Sequence, residues 1–337
     1  MNRRRSALRG AVLAVCLGAL SLAGDGFTLA AFTAPTDSPG NRVTAASDFL
    51  APVVAASAIA KSAGGTPGFV KQGGTYHVYA NVTDDGNPAS GVGTVTADVS
   101  NVTTGQSAVA LSAGSFSVGG VSYGFRSAQL TANASLSAGS KSYSVSASDN
   151  ASNGPTTGNF SVTVDNTVPS GSDVQAVNGA AAAGTAEPGD TITYTFSEPI
   201  DANSVLSGWT GTATSVVVRL INGGALPVSV DTVQIWNAAN NAQLPLGVIS
   251  LPTGTYVGGL SGTDSAVFGA TGTASTMVMS GSTIAITLGT ASGSQGAGPG
   301  LLPGAMSWVP SATATDRAGN ASATTTVNEA APSDTEF

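Results

Sequence analysis

From Leu50 onward, apolar and polar residues alternate with a period of two. Tyr76, Val78, Ala80 and Val82 alternate with Thr75, His77, Tyr79 and Asn81, and Val95, Ala97 and Val99 with Thr94, Thr96 and Asp98. Tyr143, Val145 and Ala147 stand against Ser142, Ser144 and Ser146, and Phe160, Val162 and Val164 against Ser161 and Thr163. Each run predicts a strand with one buried and one solvated face. Turn-forming clusters separate the runs: Asp84-Asp85-Gly86-Asn87-Pro88, Gly119-Gly120 and Asn153-Gly154-Pro155. No useful stretch carries a helical period. Seven or so short strands in about 115 residues predict a two-sheet sandwich.

The segment VDNTVPSGSD, residues 164–173, ends this first unit with Asx turn chemistry and a proline, as a domain boundary requires. A second unit restarts at GDTITYTFSEPID, with Ile192, Tyr194 and Phe196 inward. Further strands are predicted at Val216–Leu220, Thr232–Trp236, Gly247–Leu251, Ser275–Met279, Thr283–Leu288, Met306–Asp316 and Ala321–Val327. This unit is longer than a minimal sandwich, and its glycine- and proline-rich stretch near 289–305 reads as a long loop.

Composition narrows the class. Charged residues make up only 9% of the 337-residue chain and hydrophobic residues 42%, which excludes a highly charged disordered polymer. Arg3, Arg4, Arg5 and Arg9 precede an apolar run from Ala11 to Ala23, too short for a confident membrane span but fitting a secretory signal peptide. Removal of residues 1–24 takes four arginines and no acid, leaving 7 basic against 19 acidic side chains. Such a surface repels phosphate backbones, so nucleic acid is excluded as a partner. The one cysteine, Cys16, lies in the apolar run, and the mature chain then has no disulfide and no thiolate-ligated zinc. The C-terminal NEAAPSDTEF has no apolar tail or sorting motif, so no stable membrane anchor is expected after processing.

One pattern returns. SASDNASN at 146–153 and TATDRAGN at 313–320 both read Ala-x-Asp-x-Ala-x-Asn, from Ala147 to Asn153 and from Ala314 to Asn320. A pattern written once per unit points to architecture before it points to a unique active site. With YTFSEPIDANSV, these segments resemble bacterial immunoglobulin-like domains of secreted and cell-wall proteins, over roughly residues 50–328. The first copy departs from that family at Ser152, where Gly319 holds the preferred residue in the second. At the N-terminus, Thr28-x-Ala30-x-Phe32-Thr33 and Asn41-x-Val43-Thr44-Ala45 resemble the SipW-cognate class of Gram-positive signal peptides, with departures at Phe27 and Ala46.

These resemblances imply an all-β protein of two tandem immunoglobulin-like β-sandwiches, the second enlarged by insertions, after an N-terminal signal segment. The expected divisions are a signal peptide at 1–31, a stub at 32–49, sandwiches at 50–166 and 167–328, and a tail at 329–337. The family serves mostly as spacers, stalks or adhesive modules, and the signal implies export to the surface or matrix.

Candidate chemistry is sparse. Asp149 and Asp316, each with an Asn four residues on, fit Asx side chains capping a tight turn. Calcium held by Asp149, Asp165 and Asp316 is the sharper alternative, but calcium takes about 6–8 oxygen ligands and the acids are few. No other cofactor is expected. Ser148-Asp149-Asn150 lacks the companion motifs of a β-lactam site. Gly120-Val121-Ser122-Tyr123-Gly124 matches a nucleophile elbow, which requires a following helix and a later histidine. The only histidine, His77, comes earlier. Lys141 shares parity with Tyr143 and reads as a snorkelling edge lysine rather than half of an isopeptide bond. Trp209 and Trp236 are candidates for stacking on sugar, against the plainer reading of core or edge packing; Trp308 reads as core.

The expectation is a non-enzymatic secreted or cell-surface structural protein, with cell-wall or matrix components as partners and no inference about its oligomeric state. The alternative is an adhesive or carbohydrate-binding module using the second sandwich; a secreted hydrolase is third.

Overall fold

A computed structural model describes residues 48–179, 184–224, 229–259, 262, 264–292, 303–330 and 336–337. The signal segment, most of the stub, most of the loop near 289–305 and part of the tail lie outside the described residues. The first sheet contains β1 (Val53–Lys61), β2 (Phe69–Val70), β3 (Thr75–Thr83), β4 (Val92–Asp98), β5 (Val109–Val118), β6 (Val121–Ser127), β7 (Leu130–Thr131), β8 (Gly139–Asp149) and β9 (Thr156–Val164). Their order is β1-β3-β6-β5-β4-β8-β9-β2, with β7 beside β3. Gly68 N–H donates to the Ile59 carbonyl at 2.7 Å and brings the two ends of this path together. Ile59, Tyr76, Val78, Val145 and Val162, one residue in two along their strands, form the enclosed core.

The second sheet begins only six residues further on. It contains β10 (Gly171–Val177), β11 (Thr191–Phe196), β12 (Thr214–Ile221), β13 (Thr232–Asn237), β14 (Val248–Ser250), β15 (Ser265–Phe268), β16 (Ser275–Ser280), β17 (Thr283–Thr287), β18 (Ala291–Ser292), β19 (Ser307–Val309) and β20 (Val327–Asn328). The main order is β10-β11-β17-β16-β12-β13-β14-β19-β20. The molecule is therefore all-β, with two β-sandwich domains. Trp308 is fully buried in the second core, edge-on to Tyr194 and Phe196 at 5.1 and 4.9 Å between ring centroids.

Two strand readings need correction. The predicted strand Met306–Asp316 forms a ladder only over Ser307–Val309, because Pro310 has no amide hydrogen to continue it, and pairing resumes only as isolated bridges at Thr315 and Asp316. The predicted Ala321–Val327 keeps only its end, as β20. One element unseen in the pattern is a single helical turn, α1 (Ala202–Val205), whose N-cap Asp201 accepts from the Asn203 amide.

A candidate site at the junction of the sandwiches

The recurrent pattern builds the same device twice. After β8, Asp149 Oδ1 accepts from the Asn153 amide and Oδ2 from Asn153 Nδ2, both at 2.7 Å. In the second copy, Asp316 Oδ1 accepts from the Asn320 amide and Oδ2 from Asn320 Nδ2, again both at 2.7 Å. Each asparagine side chain also reaches the segment that enters its own sandwich: Asn153 Nδ2 donates to Asp48 O at 3.2 Å, and Asn320 Nδ2 to Asp165 O at 2.9 Å. The turn thus ties the last part of each domain to its first. The left-handed position in it is Ser152 (φ 71°) in one copy and Gly319 (φ 95°) in the other, which accounts physically for the glycine preference.

Each turn also collects carboxylates. Asp149 lies with Asp48 and Asp84, and Asp316 with Asp165 and Glu198, each group placing one oxygen per residue within 4.8 Å of the others. Asp149 and Asp165 therefore fall in different groups, one per sandwich, rather than converging on one site. The reason is topological: each belongs to the entry or the last turn of its own domain.

The two groups differ in how their charge is met. Asp48 accepts from the Leu50 and Ser90 amides at 3.0 and 2.8 Å, which hold its carboxyl below the usual range. Asp84 accepts from the Gly91 amide at 2.6 Å. In the second group Glu198 has a buried Oε1 without a hydrogen-bond partner. Burial, the charges of Asp165 and Asp316, and a hydrogen bond with Asp165 raise its carboxyl to about 7. Asp165 Oδ1 and both Asp316 oxygens already accept hydrogen bonds, so Glu198 Oε1 is the buried oxygen of this group left open to a hard cation such as calcium. The first group, already pinned by amides, fits a loop-fastening role better.

Beside the second group the first sandwich sends in its lysines. Lys61, at the end of β1, stands with Nζ 2.6 Å from Asp201 Oδ2, the side chains 9% and 2% exposed. The same ammonium donates to Thr315 Oγ1 at 3.1 Å and to the Asp316 carbonyl at 2.9 Å. Two hydrogen bonds and the ion pair with Asp201 thus converge on the Lys61 head group. Lys71 Nζ donates to the Gly319 carbonyl at 2.6 Å. Gly65 lies so close to the Asp201 carboxylate that a Cβ there would stand 2.0 Å from Oδ2, so only glycine allows the approach. Residues Asp48–Phe337 form one compact unit.

The remaining candidates are dispersed. Ser122 is an exposed residue of β6, and Gly119-Gly120 (φ 59° and 78°) form the two-residue tip of the β5–β6 hairpin. The residues after Ser122 continue as strand, and His77 Nδ1 lies 3.0 Å from the Ser127 carbonyl. Lys141 donates to Ser137 Oγ at the surface. Trp209 is buried, its indole N–H donating to Thr212 O at 2.6 Å. Trp236 carries the Arg219 guanidinium 3.8 Å above its ring, and Asn240 fixes that arginine through two hydrogen bonds. Trp209 is thus packed inside, and Trp236 has one face taken by Arg219.

Lys61, Lys71, Glu198 and Asp201 escape a reading of the sequence. The available signal was Lys61 at the end of an apolar strand, in a chain with few basic residues. Comparison with family models gives no match, and none of the curated proteins compared matches the chain.

Proposed function

We propose that this is a non-enzymatic, exported structural protein whose immunoglobulin-like sandwiches act as a fixed-angle spacer at the cell surface or in the matrix. The observation that carries this reading is the lysine clamp. Lys61 and Lys71 of the first sandwich reach Asp201, Asp316 and Gly319 of the second, so the domains meet through buried, directional contacts. The arginine-led apolar run supports export, as does the cysteine-free remainder of the chain. No helix among the described residues is long and apolar enough to cross a membrane. The motif behind a hydrolase reading runs into a strand, away from the only histidine.

Fractionating the producing cells tests this reading. The protein is expected in the medium, or in a surface fraction released by salt or chaotropes, beginning downstream of Ala23. Retention in the cytoplasm would contradict it.

A second reading, a calcium-stiffened spacer, rests on Glu198. If a divalent cation is held by Asp165, Glu198 and Asp316, calcium will raise the melting temperature of the wild type and not of Glu198→Gln. Equal melting with calcium and with chelator would leave the turn role alone.

A further inference from the structure

Above the lysine clamp lies a groove of about 450 Å3, within the size range of small-ligand sites. Three turns wall it: Ala63–Pro67 after β1, the Gly119-Gly120 hairpin tip, and Ser207–Thr210 after α1. Both sandwiches therefore contribute, and neither makes the groove alone.

Its charge is unequal. Asp201 in the floor is neutralised by Lys61. Asp316, beside the groove in sequence, uses both carboxylate oxygens inside its own turn. Arg317, which lines the groove, has neither a hydrogen bond nor an ion-pair partner among the described residues; its guanidinium lies 5.6 Å from the Phe69 ring centroid. In a chain of net charge −8, this is a half-buried cation in the wall of a cavity. A planar guanidinium with free donors is matched best by a carboxylate, which it can grip with two hydrogen bonds.

The walls say what carries that carboxylate. Ser117, Ser207 and Thr210 supply hydroxyls, and Met279 with the edge of Trp209 supplies apolar surface. Turns supply most of the walls, and strands enter only at Ser117 and Val118 of β5 and Met279 of β16, too short a row of alternating amides and carbonyls for an extended peptide to pair with. A long polyanion is opposed by the acidic surface over a Debye length of about 8–10 Å. We propose that the junction groove binds a short uronic acid saccharide, with Arg317 gripping one carboxylate. This goes beyond the spacer role and does not depend on it.

Calorimetric titration of the full secreted chain tests the proposal, with digalacturonate, the neutral disaccharide galactobiose, and an acetylated dipeptide with a free C-terminal carboxylate. Digalacturonate should bind saturably. Galactobiose, the dipeptide, and digalacturonate on Arg317→Gln should each bind at least about tenfold more weakly, the scale of losing a charge-assisted hydrogen bond. Ser207→Phe, at an exposed position on the rim, should block digalacturonate without lowering the melting temperature, and it decides the matter if Arg317→Gln unfolds. No saturation in the wild type, unchanged affinity in either variant, or equal binding of galactobiose or of the dipeptide would overturn the proposal.

Discussion

The Lys61 ammonium and the Asp201 carboxylate, on different sandwiches, lie 2.6 Å apart and almost wholly out of water. A buried pair of this kind contributes little net stability against a well-packed apolar replacement, because both charges lose their hydration. Its value is directional: a charge placed out of register would remain buried and unpaired. The pair therefore selects one arrangement of the two domains over others.

The buried pair sets the first prediction. Lys61→Met should destabilise the protein by roughly 3–5 kcal/mol, the cost of leaving a buried charge unpaired. Adding Asp201→Asn, which keeps an N-cap oxygen for α1 but removes the charge, should recover part of the loss. Urea denaturation of the single and double variants measures both. Equal stability of Lys61→Met and wild type would show that Asp201 is solvated.

The repeated turn sets the second. Asp149→Ala and Asp316→Ala should each cost about 0.5–2 kcal/mol, the scale of a lost capping side chain. Loss of Asp316 should also loosen the junction, because Asn320, which it orients, holds the Asp165 carbonyl. Faster proteolytic nicking near residues 165–170 in that variant, and not in Asp149→Ala, is the readout.

Ser152 pays a conformational cost that Gly319 does not. Ser152→Gly should stabilise the first sandwich, and Gly319→Ala should destabilise the second, each by roughly 1–2 kcal/mol from left-handed backbone strain. Thermal melts of the two variants should move in opposite directions.

Glu198 makes the junction sensitive to pH. Its carboxyl is raised, to about 7, so between the ordinary glutamate range and 7 the folded protein holds a proton that the unfolded chain has lost. Its contribution is then most favourable below the unfolded value and declines as pH rises toward 7. The wild type should lose stability relative to Glu198→Gln between about pH 4.5 and pH 7, and the difference should level off above. Parallel pH profiles for the two proteins would contradict this.

Much of the fold was legible and most of the junction was not, for a physical reason. Strands such as β8, β11 and β17 alternate Tyr, Val or Ile with mostly Ser or Thr, and their buried faces follow that alternation. β3 departs from it: Tyr79, expected on the solvated face, is buried against Ala60, Val118 and Tyr123 in a second small cluster, and Val82 is only half-buried. In β1, VVAASAIAK, alanine and serine give little contrast, and Ile59, Ala60 and Lys61 are all buried, so period two fails. Four residues of α1 cannot show a helical period. The pairing of Asp316 with Asn320 was readable because four residues separate them. The meeting of Lys61 with Asp316 joins positions 255 apart, and no local pattern encodes it. The same holds for Trp209 and Trp236, whose neighbours rather than their spacing bury the one and place Arg219 over the other.

The central claim is that the clamp holds the two sandwiches at one angle. Because the sole cysteine precedes Ala23, a secreted chain cleaved downstream of that residue can carry spin labels at two introduced cysteines, at the exposed positions Ser161 on β9 and Thr276 on β16. Double electron–electron resonance between them should give one narrow distance distribution, which broadens when Lys61→Met and Lys71→Met are added. A broad distribution in the otherwise unaltered chain, or one indifferent to loss of both lysines, would contradict the account.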